Sequence, residues 1–244
     1  MIARSSQSLR KVARMPVLLG MRLLWLVVTG GDALANPCEQ SAAPPLVSVR
    51  ADINPASYDF TRGIAQLSAD GNIVAPRHLP EFNYVLGTTA MASNSAWETT
   101  LATRMRSDGT LCWKVDKLQI TLEVHTKVYI AKEAVKGSCL WTETMRHEAK
   151  HVKIDQAIFP RLADTIRPSI VRKIARTHFA QSQAQAERDA EKLMRTAIEG
   201  AIDSFLRKRN RTQLSIDTAE EYSYISHVCG NAEVAAAVKR AGLR

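Results

Sequence analysis

Past residue 35, this 244-residue chain has no apolar run long enough to cross a bilayer, which takes about 20 consecutive apolar residues. Its four cysteines, Cys38, Cys112, Cys139 and Cys229, include no C-x-x-C pair, so the spacing offers neither a ribbon-type zinc site nor a dithiol redox centre. Aromatic residues make up only 6%, and none interleave with a basic patch, which argues against a nucleic-acid surface. No internal repeat and no low-complexity tract occurs.

What is present begins with an export signal. Arg10, Lys11 and Arg14 precede a mostly apolar stretch from Pro16 to Gly30, broken by Arg22, and Ala33-Leu34-Ala35 supplies a small-x-small cleavage pattern. The expected mature chain therefore starts at Asn36 and runs to 244 as a single domain, secreted or periplasmic, with no stable membrane span. The net charge of +9 is partly that of the signal. Removing residues 1–35 leaves 28 basic and 23 acidic side chains, a surplus too small to imply a polyanionic partner. An even cysteine count in an exported protein predicts two disulfides, and Cys112–Cys139 with Cys38–Cys229 is the preferred pairing.

The expected fold class is α+β, with a strand-rich part over 36–136 and a helical part over 137–244. Turn residues punctuate the first part at Pro44-Pro45, Asn54-Pro55, Asp70-Gly71-Asn72 and Ser107-Asp108-Gly109. Between Lys117 and Val124 apolar and polar residues alternate, the period of a half-buried strand, and Val128-Tyr129-Ile130 reads as its hairpin partner. The spacing of Trp97, Leu101 and Met105 predicts a short helix over 93–106. In the second part, helices are expected from Thr142 to Phe159, from Pro168 to Arg207 with a core-facing stripe in its later half, and from Thr218 to Cys229, capped by Asp217 or Thr218.

Within the first of these helices lies His147-Glu148-Ala149-Lys150-His151. Two histidines four residues apart share one helix face and can reach one zinc ion, while the intervening glutamate lies beside the water such an ion activates. A catalytic zinc takes three protein ligands and keeps a fourth position open. The further glycine and histidine of an H-E-x-x-H-x-x-G-x-x-H extension are absent, since Ile154 and Ala157 occupy those places, so the third ligand must come from elsewhere. Glu187, Glu191, Glu220, Glu221, His178 and His227 are the candidates. Asp155, four residues beyond His151, is placed to accept the hydrogen of that imidazole.

The order of short strands, H-E-x-x-H helix, long helix and short tail resembles a bacterial family of predicted secreted zinc-dependent proteases, described as a domain of unknown function. The matching residues are Tyr58-Asp59-Phe60-Thr61-Arg62-Gly63 with Leu67, the strand before the helix, the H-E-x-x-H itself, and Asp217-Thr218 with Glu221-Tyr222. In that family an Asp and a Thr are followed by a His-Gly pair, whereas this chain has Glu221-Tyr222 in the neighbourhood. The resemblance implies a zincin-like fold, with a small N-terminal antiparallel sheet, and a zinc-dependent metallopeptidase acting on peptide or protein substrates. Of the candidates, Glu221 is the favoured third ligand beside His147 and His151, with Glu187 next. Glu148 is the expected general base, and Tyr222 or Tyr224 the donor to the oxyanion. A peptide is expected to add as a strand along Val115 to Ile130. The competing readings are an exported helical interaction protein without catalysis and a zinc hydrolase of a non-peptide amide bond.

Overall fold

The computed structural model describes residues 43–69 and 84–243. The export segment, its cleavage point before Asn36, Cys38 and the turn at Asp70-Gly71-Asn72 lie outside the described residues.

Among the described residues four strands form one sheet: β1 (Leu46–Asp59), β2 (Gly87–Met105), β3 (Leu111–Ile130) and β4 (His178–Ala180). β3 runs through the middle, with β2 antiparallel on one side; β1, parallel, and β4, antiparallel, share the other. The sheet is therefore mixed rather than antiparallel. α1 (Ile64–Ala69) and β2 intervene between β1 and β3, and that crossover lets the two run in the same direction.

Alternation explains why 111–130 is one strand and not a hairpin. Thr126 keeps the inward phase set by Leu118, Ile120, Leu122 and Val124, and its hydroxyl donates to Asp155 Oδ2 at 3.2 Å, so no turn is needed to hide it. His125 and Lys127 point the other way, and the phase carries on to Val128 and Ile130. Because both edges of β3 are occupied, the segment Val115–Ile130 has no free edge for a peptide. The expected helix over 93–106 is also strand, within β2. A step of four is even, so Trp97, Leu101 and Met105 satisfy a period of two as well as a helical one, and five threonines in β2 favour the pleated form. The turn at Ser107-Asp108-Gly109 closes β2 onto β3. Gly109 takes φ of 83°, and Asp108 Oδ1 accepts from Thr110 N at 2.9 Å.

The helices cover the inner face of the sheet. α2 (Cys139–Ile158) starts three residues before the expected Thr142, where the Ser138 hydroxyl accepts from Trp141 N at 3.2 Å, and Pro160 falls in a single 3-10 turn after its end. The long helix expected from Pro168 to Arg207 is two. α3 (Leu162–Ile174) carries Pro168 in its interior, β4 interrupts, and α4 (Gln183–Gln213) follows, capped by Ser182. β4 pairs with the start of β3 and stacks His178 on Trp113 at 4.4 Å, packing that outweighs helical continuity there. α5 (Ala219–Cys229) begins where Thr218 accepts from Glu221 N, as its sequence suggests, and α6 (Asn231–Arg240) adds a helix the reading did not contain.

One apolar core lies between the sheet and α3 and α4, around Leu118, Ile120, Ile166, Ile170, Met194 and Ile198. A second joins α1, the end of β3, the start of α2, α5 and α6, around Ile64, Leu67, Ile130, Leu140 and Ile225. Cys139 is bonded to Cys229, tying the start of α2 to the end of α5, so neither expected pairing holds. In place of joining the strand region to α2, the bridge staples two helices that pack side by side. Cys112 is also disulfide-bonded. No helix among the described residues is long and apolar enough to cross a membrane.

Candidate metal centre

His147 and His151 lie one turn apart on the buried face of α2, and their Nε2 atoms are 3.2 Å from each other. Oδ1 of Asp217, in the connection between α4 and α5, sits 3.2 Å from the first and 3.1 Å from the second. Three donor atoms thus form a small triangle. Zinc bonds of roughly 2.0–2.2 Å to nitrogen and oxygen, arranged tetrahedrally, set neighbouring donors about 3.3 Å apart, so the spacing suits that ion without rearrangement. Nδ1 of His147, on the far side of the ring from the triangle, is buried and makes no hydrogen bond among the described residues, with Glu221 Oε1 3.5 Å away. His147, His151 and Asp217 could hold a metal ion.

Burial opposes charge on Asp217, but the two imidazoles beside it outweigh that and hold its carboxyl well below the usual range. Burial likewise opposes a charged His151, and the hydrogen bond to Asp217 reverses the sign and raises it. The two shifts are the two sides of one contact, in which the carboxylate and the imidazole each favour the other's charged form.

Glu148 is almost fully enclosed, and burial pushes its carboxyl up despite the histidines nearby. Its Oε2 accepts from the Thr89 hydroxyl of β2 at 2.7 Å. Room for it exists because residue 87 is glycine: a Cβ there would stand 2.7 Å from Glu148 Oε1 and 2.7 Å from Thr144 Cγ2. The Tyr222 hydroxyl donates to Asp217 Oδ1 at 3.2 Å, with its ring 5.5 Å from that of His147. Burial, followed by the charge of Asp217, raises the phenol further above its ordinary value, so it stays a donor.

Glu221, the expected third ligand, is displaced from the triangle. It pairs with Lys150 and comes no nearer to His147 than 3.5 Å, at Nδ1, on the opposite side of the ring from Nε2. The other candidates are elsewhere. Glu187 accepts from Gln183, Glu191 pairs with Arg195, Glu220 and His227 are exposed on α5, and His178 lies in β4. Tyr224 stacks under Arg146 at the surface. Asp155 does not receive the hydrogen of His151 directly. Gln213 stands between them, accepting from His151 Nδ1 at 2.7 Å and donating from Nε2 to Asp155 Oδ1 at 2.7 Å. Arg209 then grips Asp155 through two contacts of 2.7 Å.

Asp217, Gln213 and Arg209 are the residues that sequence reasoning missed as parts of a site. Asp217 enters the sequence reading as a helix cap and as part of the tail motif of the resembled family, but not as a ligand. Arg209 and Gln213 extend by steps of four the buried stripe of Met194, Ile198, Ala201 and Phe205, and a charged or amide residue in a core stripe is itself a signal. Against known proteins, the chain matches no family model, no curated sequence and no solved structure.

Proposed function

We propose that this protein is an exported zinc metallopeptidase in which His147, His151 and Asp217 are the ligands and Glu148 is the general base. The observation that carries the reading is the convergence of His147 Nε2, His151 Nε2 and Asp217 Oδ1 within 3.2 Å of one another, beside an enclosed glutamate. The disulfide between Cys139 and Cys229 supports an oxidising destination.

Zinc would supply Lewis acidity, polarising a carbonyl and lowering the pKa of water to about 7. Glu148 then takes a proton from the attacking water as its oxygen bonds to the carbonyl carbon, and passes that proton to the amine as the C–N bond breaks. Its raised affinity for a proton suits a group that must hold one between the two steps. Tyr222 would donate to the developing oxyanion once its hydroxyl turns from Asp217 Oδ1. Substrate backbone adds along β2, which among the described residues pairs only with β3 and so keeps its outer edge open. Thr89 on that strand already touches Glu148, which brings a peptide lying there close to the base.

The test is zinc content and peptide hydrolysis of the mature chain. Wild type is expected to hold one zinc and cleave a denatured protein substrate, and Glu148→Gln to keep the zinc while losing about 10²–10⁴-fold in rate. A stably folded wild-type chain that takes up no zinc overturns the proposal and favours an interaction protein.

A further inference from the structure

We infer that Gln213 determines which nitrogen of His151 is free to meet a cation, and that Asp155 and Arg209 hold Gln213 in the orientation that does so. The inference rests on the metal reading above and extends it to Gln213, which bonds the ligand His151 without supplying a ligand atom, and to the two residues behind it.

Two atoms facing the Gln213 amide, Asp155 Oδ1 and the His151 carbonyl oxygen, can only accept. Asp155 is 1% exposed, and its carboxylate receives Arg209 Nε on Oδ1 and Arg209 Nη2 on Oδ2, both at 2.7 Å, with the Thr126 hydroxyl on Oδ2 at 3.2 Å. A carboxylate clamped by a guanidinium has no hydrogen to offer. Neither has the backbone carbonyl of His151. The Gln213 atom that faces both, 2.7 Å from Asp155 Oδ1 and 3.2 Å from His151 O, must therefore be the NH2 group. With the amide so oriented, its oxygen is the atom 2.7 Å from His151 Nδ1, and an oxygen there can only accept. Nδ1 must carry the hydrogen. A neutral imidazole has one, so Nε2 of the neutral ring carries a lone pair where a cation would meet it, and only the protonated ring donates from Nε2 to Asp217 Oδ1.

Turning the amide over would set its oxygen against the Asp155 carboxylate and against the His151 carbonyl, two acceptor-to-acceptor contacts in a buried place. Arg209 and Asp155 prevent this. They lie at the end of α4 and in the last turns of α2, so the ring is fixed from the helix pair behind it while the ligand side stays open. Gln213 is accordingly a positioning residue, acting on the site only through His151.

Two measurements on the full mature chain test this. Zinc affinity by competition with a chromogenic chelator should fall about 10–100-fold in Gln213→Leu and in Gln213→Met, with wild-type circular dichroism retained. In the metal-free protein, at a pH where the ring is neutral, the nitrogen NMR shifts of His151 should show hydrogen on Nδ1 and none on Nε2, and Gln213→Leu should lose that preference. A residue that only filled space would leave the ring hydrogen where it was. Folded Gln213 variants with wild-type affinity, or hydrogen on Nε2 in wild type, would overturn the inference. A wild-type chain that binds no zinc overturns the metal reading instead, and the nitrogen shifts then decide the role of Gln213 alone.

Discussion

Glu148 and the glycine opposite it leave no room for a side chain between them. Adding one methyl at residue 87 drives a Cβ into the carboxylate and Thr144, both on the buried face of α2. Gly87→Ala is therefore expected to reduce peptide hydrolysis at least ten-fold while zinc stoichiometry is unchanged, a split that activity and metal assays read separately. Asp217 and Glu221 give a second contrast at this scale. Asp217→Ala should weaken zinc binding about 100-fold, and Glu221→Ala much less, because only the first carboxylate reaches the Nε2 atoms. Equal losses would contradict this assignment. The histidines and Glu148 were legible in the sequence because all three sit within five positions, where helical geometry dictates their relation. Asp217 was harder to see. Its carboxylate arrives through a turn and a cap, and the same cap that made Glu221 look fixed in place carries Asp217 to the nitrogens instead.

Between elements, the Cys139–Cys229 bridge matters most, since it fastens α5, and the connection holding Asp217, to α2. The sequence separation is 90, and cross-linking a loop of that size contributes at most about 4–5 kcal/mol in the chain-entropy account. Replacing both cysteines by alanine should lower the unfolding free energy by about 2–5 kcal/mol in urea titration. The stack of His178 on Trp113 gives a pH dependence. Burial, then the charge of Arg176, lowers the pKa of His178 below its ordinary value, so the unfolded chain binds the proton more readily. The associated stability is present above pH about 6.5 and is lost as pH falls through the lower folded value. His178→Phe keeps a ring against Trp113, and its metal-free stability should fall less than that of wild type between pH 7.5 and pH 5. Helices with one clear apolar stripe, such as the later half of α4, could be read from sequence, as could the alternation in the middle of β3. β2 was misread because its apolar spacing suits either period, and the break between α3 and α4 because only contact with β3 makes the chain extend there.

At the scale of the whole molecule, the mixed sheet with helices over its inner face brings α2 between the two apolar cores, and the candidate metal triangle lies on its buried side. The α+β class followed from the division between turn-punctuated and helical halves. Strand order did not, because the parallel pairing of β1 with β3 and the return of β4 join residues more than 60 positions apart and leave no local trace. The most direct measurement is an anomalous difference map at the zinc edge from crystals of the zinc-loaded mature protein. The account predicts one peak about 2.0–2.2 Å from His147 Nε2, His151 Nε2 and a carboxylate oxygen of Asp217. A peak held by other residues, or none between these three, would contradict it.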